Sequence, residues 1–175
     1  MNSAHFQNLY AYTFWMHRQV WTCMEELREE QFTQDLDYSI GSLQNQCIHT
    51  LGVEYWWIHF LATGELDFVD VESLSTRPAI RAAWDAVETE VTGYLAALTA
   101  AELERLVKPP FWDEQAAPVH VWQALFQVAN HSTDHRSQML AGLHRVGGRT
   151  LEQDYLEYHF AHSPAPDTPA QATLL

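Results

Sequence analysis

The sequence predicts an all-α protein built as a four-helix bundle, and three observations support this prediction. Apolar residues recur at three- and four-residue spacing along four long segments of the 175-residue chain. Few glycines and prolines interrupt those segments, and no segment shows the polar/apolar alternation of a strand. Four amphipathic helices with short or moderate connections bury their apolar faces most simply in a bundle.

The first predicted helix covers about residues 4–30. Its apolar stripe is formed by Leu9, Tyr12, Met16, Val20, Cys23 and Leu27. A polar break at residues 29–37 precedes a second helix, for which Ser39 or Ser42 could be the N-cap. The second helix is expected to end at about residue 62, because Gly64 follows in the position of a C-terminal glycine.

The second helix is apolar on two faces. One face carries Ile48, Leu51, Tyr55, Ile58 and Ala62, and the other carries Val53, Trp56 and Phe60. A single bundle does not bury both faces, so the surplus face predicts a subunit interface and hence a homodimer.

The third predicted helix begins after Thr76, with Pro78 in its first turn. Its stripe is formed by Ile80, Trp84, Val87, Val91, Tyr94 and Leu98. Thr99 and Glu102 have the spacing of a capping box, which predicts a short helical turn.

Pro118 is expected to open the fourth long helix, which runs to about residue 146 before the glycine pair at 147–148. Residues 151–162 are predicted to form a short helix. The chain is therefore expected to be one domain, residues 1–162, with a flexible C-terminal tail at residues 163–175.

Composition excludes several classes of function. The 23 acidic residues outnumber the 9 Lys and Arg, and the net charge of −14 makes nucleic acid and anionic membranes poor partners. No signal peptide or membrane span is expected, and two cysteines favour a reducing cytoplasm over a disulfide framework. No phosphate-binding loop, nucleophile elbow or Cys-x-x-Cys motif is present.

One pair of residues has metal-ligand spacing. His131 and His135 are four residues apart, so both imidazoles lie on one face of the fourth helix. They interrupt a stripe of otherwise small, apolar or amide residues: Ala124, Val128, Gln138 and Gly142. The pair could bind a metal ion, or it could be two core histidines with hydrogen-bond partners.

His49 is the best candidate for a third ligand, because it lies in the middle of the second helix and continues the stripe of Val53 and Trp56. A core histidine is the alternative interpretation. Three histidines from two helices would leave coordination positions open, which is typical of a catalytic metal site rather than a structural one.

His49 on the second helix, together with His131-x-x-x-His135-Arg136 on the fourth, resembles the DinB/YfiT-like superfamily. The likeness extends over most of the chain, from about Leu9 to Tyr158. It includes Tyr12 and Trp15, the run from Ile48 to Trp57, Asn130, and Asp154-x-x-x-Tyr158. Ser137 is a departure, since many members have Gly after the His-Arg pair.

This resemblance implies a homodimeric four-helix bundle with a divalent ion, zinc or nickel foremost, on the three histidines. It also implies thiol chemistry, because several branches are transferases or isomerases that use bacillithiol, mycothiol or glutathione. We therefore expect a metal-dependent transferase that adds a low-molecular-weight thiol to a small electrophile. A metal-dependent hydrolase and a non-enzymatic, dimeric small-molecule-binding bundle are the alternatives.

Other residues are weaker candidates for the site. Asn130 could orient an imidazole of the site, or it could be solvated. Arg136 could bind an anionic substrate or the carboxylate of the thiol, but a salt bridge within this acidic chain is the role we expect for it. Tyr55 and Trp56 could line a pocket near the metal or belong to the core. Glu54 lies about 140° around the helix from His49 and is expected to be a surface or interface carboxylate. Three other residues are not expected to belong to the site. Asp134 is expected in solvent, and Cys23 and Cys47 are expected in the core.

Overall fold

The computed structural model of the chain describes residues 2–163 and confirms the all-α prediction. In chain order the helices are α1 (Ser3–Glu25), α2 (Glu29–Thr33), α3 (Leu43–Thr63), α4 (Arg77–Ala96), α5 (Ala100–Glu104), α6 (Val121–Arg145) and α7 (Tyr155–His162). A 3₁₀ turn at Val71–Leu74 precedes α4. Two short strands, β1 (Leu106–Val107) and β2 (Val119–His120), pair antiparallel before α6.

The four long helices form the bundle. α3 packs against α4 and α6, and α1 packs against the same two helices from the opposite side. α1 and α3 are therefore diagonal to each other, as are α4 and α6. The core between them contains fully buried side chains from all four helices, among them Met16, Leu51, Ile58, Ile80, Val91 and Val128.

Helix ends follow the capping residues that the sequence predicts. Ser42 rather than Ser39 caps α3, since its hydroxyl accepts a hydrogen bond from the backbone N–H of Asn45 at 3.1 Å. Gly64 ends the same helix with φ of +80°, a left-handed conformation that side chains disfavour. The hydroxyl of Thr76 likewise accepts from the N–H of Ala79 at the start of α4.

The first helix is shorter than predicted, because a tertiary contact replaces its last turn. The Arg77 guanidinium donates to the carbonyl oxygens of Met24 and Leu27, at 2.9 and 2.7 Å. These bonds satisfy carbonyls at the end of α1, and the chain turns into the separate helix α2. Phe32 of α2 is fully buried beneath the same guanidinium.

The start of the last long helix is also later than predicted. Pro118 does not open it, because Val119 and His120 pair as β2 with β1, and α6 begins at Val121. The Val121 N–H donates to the Arg105 carbonyl at 2.9 Å, which ties the start of α6 to the end of α5.

The second apolar face of α3 is partly covered within the chain. Val53 and Trp56 are half-buried, and the Phe111 ring meets Trp56 edge-on with ring centroids 5.4 Å apart. The homodimer expected from this face stays a prediction.

At the C-terminal end of the described chain, Tyr158 of α7 is buried against Tyr12 and Trp15. The expected tail, residues 163–175, lies outside the described residues apart from Ser163. Among the described helices, none is both long and apolar enough to cross a membrane.

Candidate metal centre

Three histidines from two helices converge at one place on the bundle. His49 lies on α3, and His131 and His135 lie one turn apart on α6. One ring nitrogen of each lies within 4.8 Å of the other two, and the Nε2 atoms of His49 and His131 are 3.1 Å apart. The packing of α3 against α6 therefore brings together the three residues that the sequence singles out.

The centre runs from the core to the surface. His135 is buried, His131 is half-buried and His49 is exposed. A small molecule would therefore reach this group of side chains from the His49 side.

All three imidazoles favour the neutral form. Burial lowers the pKa of His49, His131 and His135. The effect is largest for His131, where burial and the neighbouring His135 and His49 lower the pKa to about 4. At neutral pH each ring therefore has a free lone pair, which is the form that binds metal ions.

A hydrogen bond fixes which nitrogen of His135 is free. His135 Nδ1 lies 2.7 Å from Gln46 Oε1, and an amide oxygen only accepts, so Nδ1 carries the proton and Nε2 the lone pair. Gln46 in turn donates to Gln138 Oε1 at 3.1 Å, and Gln138 donates to Asp134 at 2.9 Å. Gln46 is absent from the residues predicted above, although its position three residues before His49 places both on one face.

The three side chains fit a divalent ion. Among the described residues, the buried Nδ1 of His131 has no hydrogen-bond partner. Two neutral imidazoles at 3.1 Å share one proton at most, and orphaned buried nitrogens are costly. A cation of borderline softness such as zinc or nickel binds imidazole nitrogen well, and on the Nε2 side it would take up the lone pairs of His49 and His131, leaving only the Nδ1 of His131 without a partner.

Behind the histidines a buried polar network connects all four long helices. Glu54 is fully buried, and its carboxylate accepts hydrogen bonds from Ser132 Oγ at 2.5 Å and Trp84 Nε1 at 3.2 Å. His17 Nε2 lies 3.5 Å from the same carboxylate. Burial raises the pKa of Glu54 to about 7, although the Ser132 and Trp84 hydrogen bonds oppose the shift. Burial also lowers the pKa of His17 well below its ordinary value.

The prediction that Glu54 is a surface or interface carboxylate is therefore wrong. Glu54 lies on the side of α3 that faces the bundle centre rather than solvent, and Ser132 and Trp84 donate hydrogen bonds to its carboxylate there. His17 was likewise not predicted to belong to a polar cluster. The periodicity of single helices does not reveal such a cluster, because its members come from different helices.

Arg136 is fully buried and does not line the pocket beside His49. Its guanidinium donates to Gln153 Oε1 at 2.8 Å and Thr133 Oγ1 at 2.9 Å, and Nη1 lies 3.2 Å from His17 Nε2. None of the salt bridges between described residues includes Arg136, so the salt bridge expected for it is wrong. Burial lowers the pKa of Arg136 to about 10, which leaves it charged at neutral pH. Gln153 also donates to Ser137, so the pair anchors the segment before α7.

The other predicted residues divide between the surface and a pocket. Asn130 is exposed on α6, and so is Asp134, as expected. Tyr55 donates to Asp67 Oδ2 at 2.5 Å instead of reaching the histidines. Trp56 lines a pocket of about 520 Å³ that also includes His49.

Comparison with known proteins assigns the chain to a family. The family model described as DinB family matches residues 1–169, which includes all of the described helices. No curated protein matches the sequence.

Proposed function

Since the chain belongs to the DinB family, we propose that it holds a divalent metal ion, zinc or nickel, on His49, His131 and His135. One observation carries the proposal: where α3 packs against α6, one ring nitrogen of each of these three neutral imidazoles lies within 4.8 Å of the other two. Three protein ligands leave positions for exogenous molecules, as in catalytic sites.

The reaction we propose is the addition of a low-molecular-weight thiol to a small electrophile. A divalent ion held by three imidazoles supplies Lewis acidity that lowers the pKa of a thiol, so that thiolate is present near neutral pH. Gln46 keeps His135 in one tautomer, and the pocket beside His49 receives the electrophile. The addition balances without a redox partner, because sulfur bonds to the electrophilic carbon and the proton lost by the thiol ends on the product.

We place this reaction in the cytoplasm, because reduced thiols are the co-substrate that a reducing compartment provides. The two cysteines support this choice. Both Cys23 and Cys47 are free and buried, so neither contributes to a disulfide within the described chain.

Metal content is the first test of the proposal. Protein purified without a His-tag or chelator should contain about one zinc, nickel or similar ion per chain by elemental analysis. His131→Ala should lose the ion while its circular dichroism stays helical, and His144→Ala, an exposed histidine on the same helix, should keep it. A metal-free wild type, even after reconstitution with several divalent ions, would contradict the metal site.

Thiol dependence is the second test. With glutathione, bacillithiol or mycothiol added, metal-loaded protein should consume the neutral enone 4-phenyl-3-buten-2-one faster than the uncatalysed thiol addition does. Metal-free protein, or loaded protein without thiol, should give no such increase. Turnover of an ester such as p-nitrophenyl acetate without any thiol would instead favour a hydrolase. Metal binding without turnover of either compound would favour the small-molecule-binding bundle.

A further inference from the structure

A pocket without charged side chains borders the three histidines on the side of His49. Its volume is about 520 Å³, within the range of small-molecule sites. Its walls come from α3, from Ile40 just before that helix, and from the segment that leads into the 3₁₀ turn at Val71. Apart from His49, the polar side chain in the lining is Asn45, whose amide already donates to the Ile40 carbonyl at 3.1 Å. The lining contains no Asp, Glu, Lys or Arg.

The floor of the pocket and the nearest histidine lie on one face of α3. His49, Gly52, Val53 and Trp56 follow each other at positions i, i+3, i+4 and i+7, which share a helix face. A molecule lying on this floor therefore lies beside His49.

Gly52 keeps the pocket open. A Cβ at this position would meet one neighbour, Val69 Cγ2 at 3.4 Å, so a side chain there would extend into the pocket rather than into packed protein. The residue at position 52 therefore controls how much space is left beside His49.

The side chains that line the pocket disfavour charged ligands. A carboxylate or phosphate would meet no cationic side chain in the pocket and would approach a chain with a net charge of −14. A cation would find no carboxylate there. Trp56 and Phe68, with ring centroids 6.5 Å apart, offer aromatic surfaces to a flat apolar molecule instead.

We propose, building on the function proposed above, that the electrophile meeting the three histidines is an uncharged, aromatic or largely apolar compound, and that Gly52 sets its size limit. A second copy of the chain fits this pocket less well. Gly52, Val53 and Trp56 are half-buried, whereas Phe68 and Val71 at the rim are 60% and 58% exposed. A flat contact between copies would cover the rim and leave the floor unfilled.

The test uses N-phenyl-1-naphthylamine, an uncharged aromatic probe that fluoresces in apolar surroundings, with metal-free and zinc-loaded full-length protein. Wild type should bind it saturably. Gly52→Leu should weaken binding by about ten-fold or more, because the new side chain overfills the pocket. The matched control is Gly93→Leu on α4, where an added Cβ meets nothing within 4 Å, and it should bind the probe like wild type.

Two further measurements make the result specific. Val53→Lys, which places an ammonium group in the floor, should weaken probe binding as Gly52→Leu does. 8-Anilino-1-naphthalenesulfonate, a related probe that carries a sulfonate, should bind wild type about ten-fold more weakly than the neutral probe. Equal affinity for the two probes would overturn the preference for uncharged ligands.

Zinc titration of the same variants separates this inference from the function on which it rests. Gly52→Leu should bind zinc like wild type. Probe binding that is absent or insensitive to Gly52→Leu, with zinc binding intact, would overturn the pocket assignment alone. Self-association that the probe reverses would also overturn it, because a second copy would then occupy the pocket. Absence of zinc binding in wild type would count against the proposed function instead.

Discussion

Gln46 is the residue that prepares His135 to bind an ion. Its Oε1 accepts a hydrogen bond from His135 Nδ1, with 2.7 Å between the two atoms, and its own amide group donates to Gln138 Oε1. Removing the acceptor frees the ring to rotate and to change tautomer, so Gln46→Leu should lower zinc affinity by about 10- to 100-fold. Isothermal titration calorimetry measures this change.

Two companion variants make that experiment decisive. Gln46→Glu keeps an acceptor oxygen and should retain most of the affinity. Gln44→Leu removes an amide on the same helix that bonds to the Ser75 carbonyl, and it should have no effect on zinc binding. If Gln46→Leu bound zinc like wild type, Gln46 would have no positioning role.

Glu54 gives the stability of the fold a distinctive dependence on pH. Its pKa is raised to about 7, from 4.5, because it is buried. Between these values the unfolded chain loses the proton while the folded chain keeps it, so the contribution of Glu54 to stability falls as pH rises. His17 acts in the opposite direction: its pKa is lowered in the folded chain, so its contribution falls as pH drops below about 6.5.

A difference measurement isolates the carboxyl. Relative to wild type, Glu54→Gln should gain up to about 3 kcal/mol in free energy of unfolding between pH 5 and pH 8, because the variant has no proton to lose. Urea denaturation at several pH values measures the gain. Glu65→Gln, in an exposed loop, is the control. A difference between wild type and Glu54→Gln that does not change with pH would show that Glu54 is ionised throughout this range.

Among the long helices, alanine substitution at two glycines should have opposite effects on stability. Gly93 lies inside α4, exposed and without neighbours within 4 Å of an added Cβ, so Gly93→Ala should stabilise the protein by about 0.5–1 kcal/mol. Gly64 ends α3 at φ of +80°, so Gly64→Ala should destabilise it by about 1 kcal/mol. Urea midpoints with unchanged slopes measure both. Changes of the same sign would contradict the prediction.

The elements also show how far sequence reasoning reaches. α3, α4 and their caps were predictable, because Ser42, Gly64 and Thr76 act through bonds to neighbouring backbone. The end of α1 and the start of α6 were not, because Arg77 and the pairing of β1 with β2 act from distant parts of the chain.

In the candidate site, too, some features were predictable from the sequence and others were not. His131 and His135 share a face through their spacing alone, and the family resemblance supports His49 as the third member of the group. The burial of Glu54 and the bond from His135 to Gln46 depend on how α3 meets the other helices, which helix periodicity does not encode.

At the scale of the molecule, we expect a homodimer. Several large apolar side chains are about half exposed or more: Phe68, Leu106, Phe111, Phe126, Leu156 and Phe160. Such surface is typical of a contact with a partner. Sedimentation velocity over a range of concentrations should show a species of twice the chain mass.

Charged variants would assign the face of that dimer. Phe111→Glu tests the surface beside Trp56, and Phe160→Glu tests α7; dissociation by one of them identifies the contact. A monomer at every concentration would contradict the prediction.

The packing of α3 against α6 has a consequence for the order of folding. His49 and His131 are separated by 82 residues, so bringing them together closes a long loop at an entropic cost of about 4 kcal/mol. α3 and α4 are near neighbours along the chain and can pair earlier. The three histidines should therefore assemble late, and in stopped-flow refolding the visible absorption of bound cobalt should rise with the slowest phase. Cobalt absorption that preceded the burial of tryptophan would show that the histidines meet before the bundle forms.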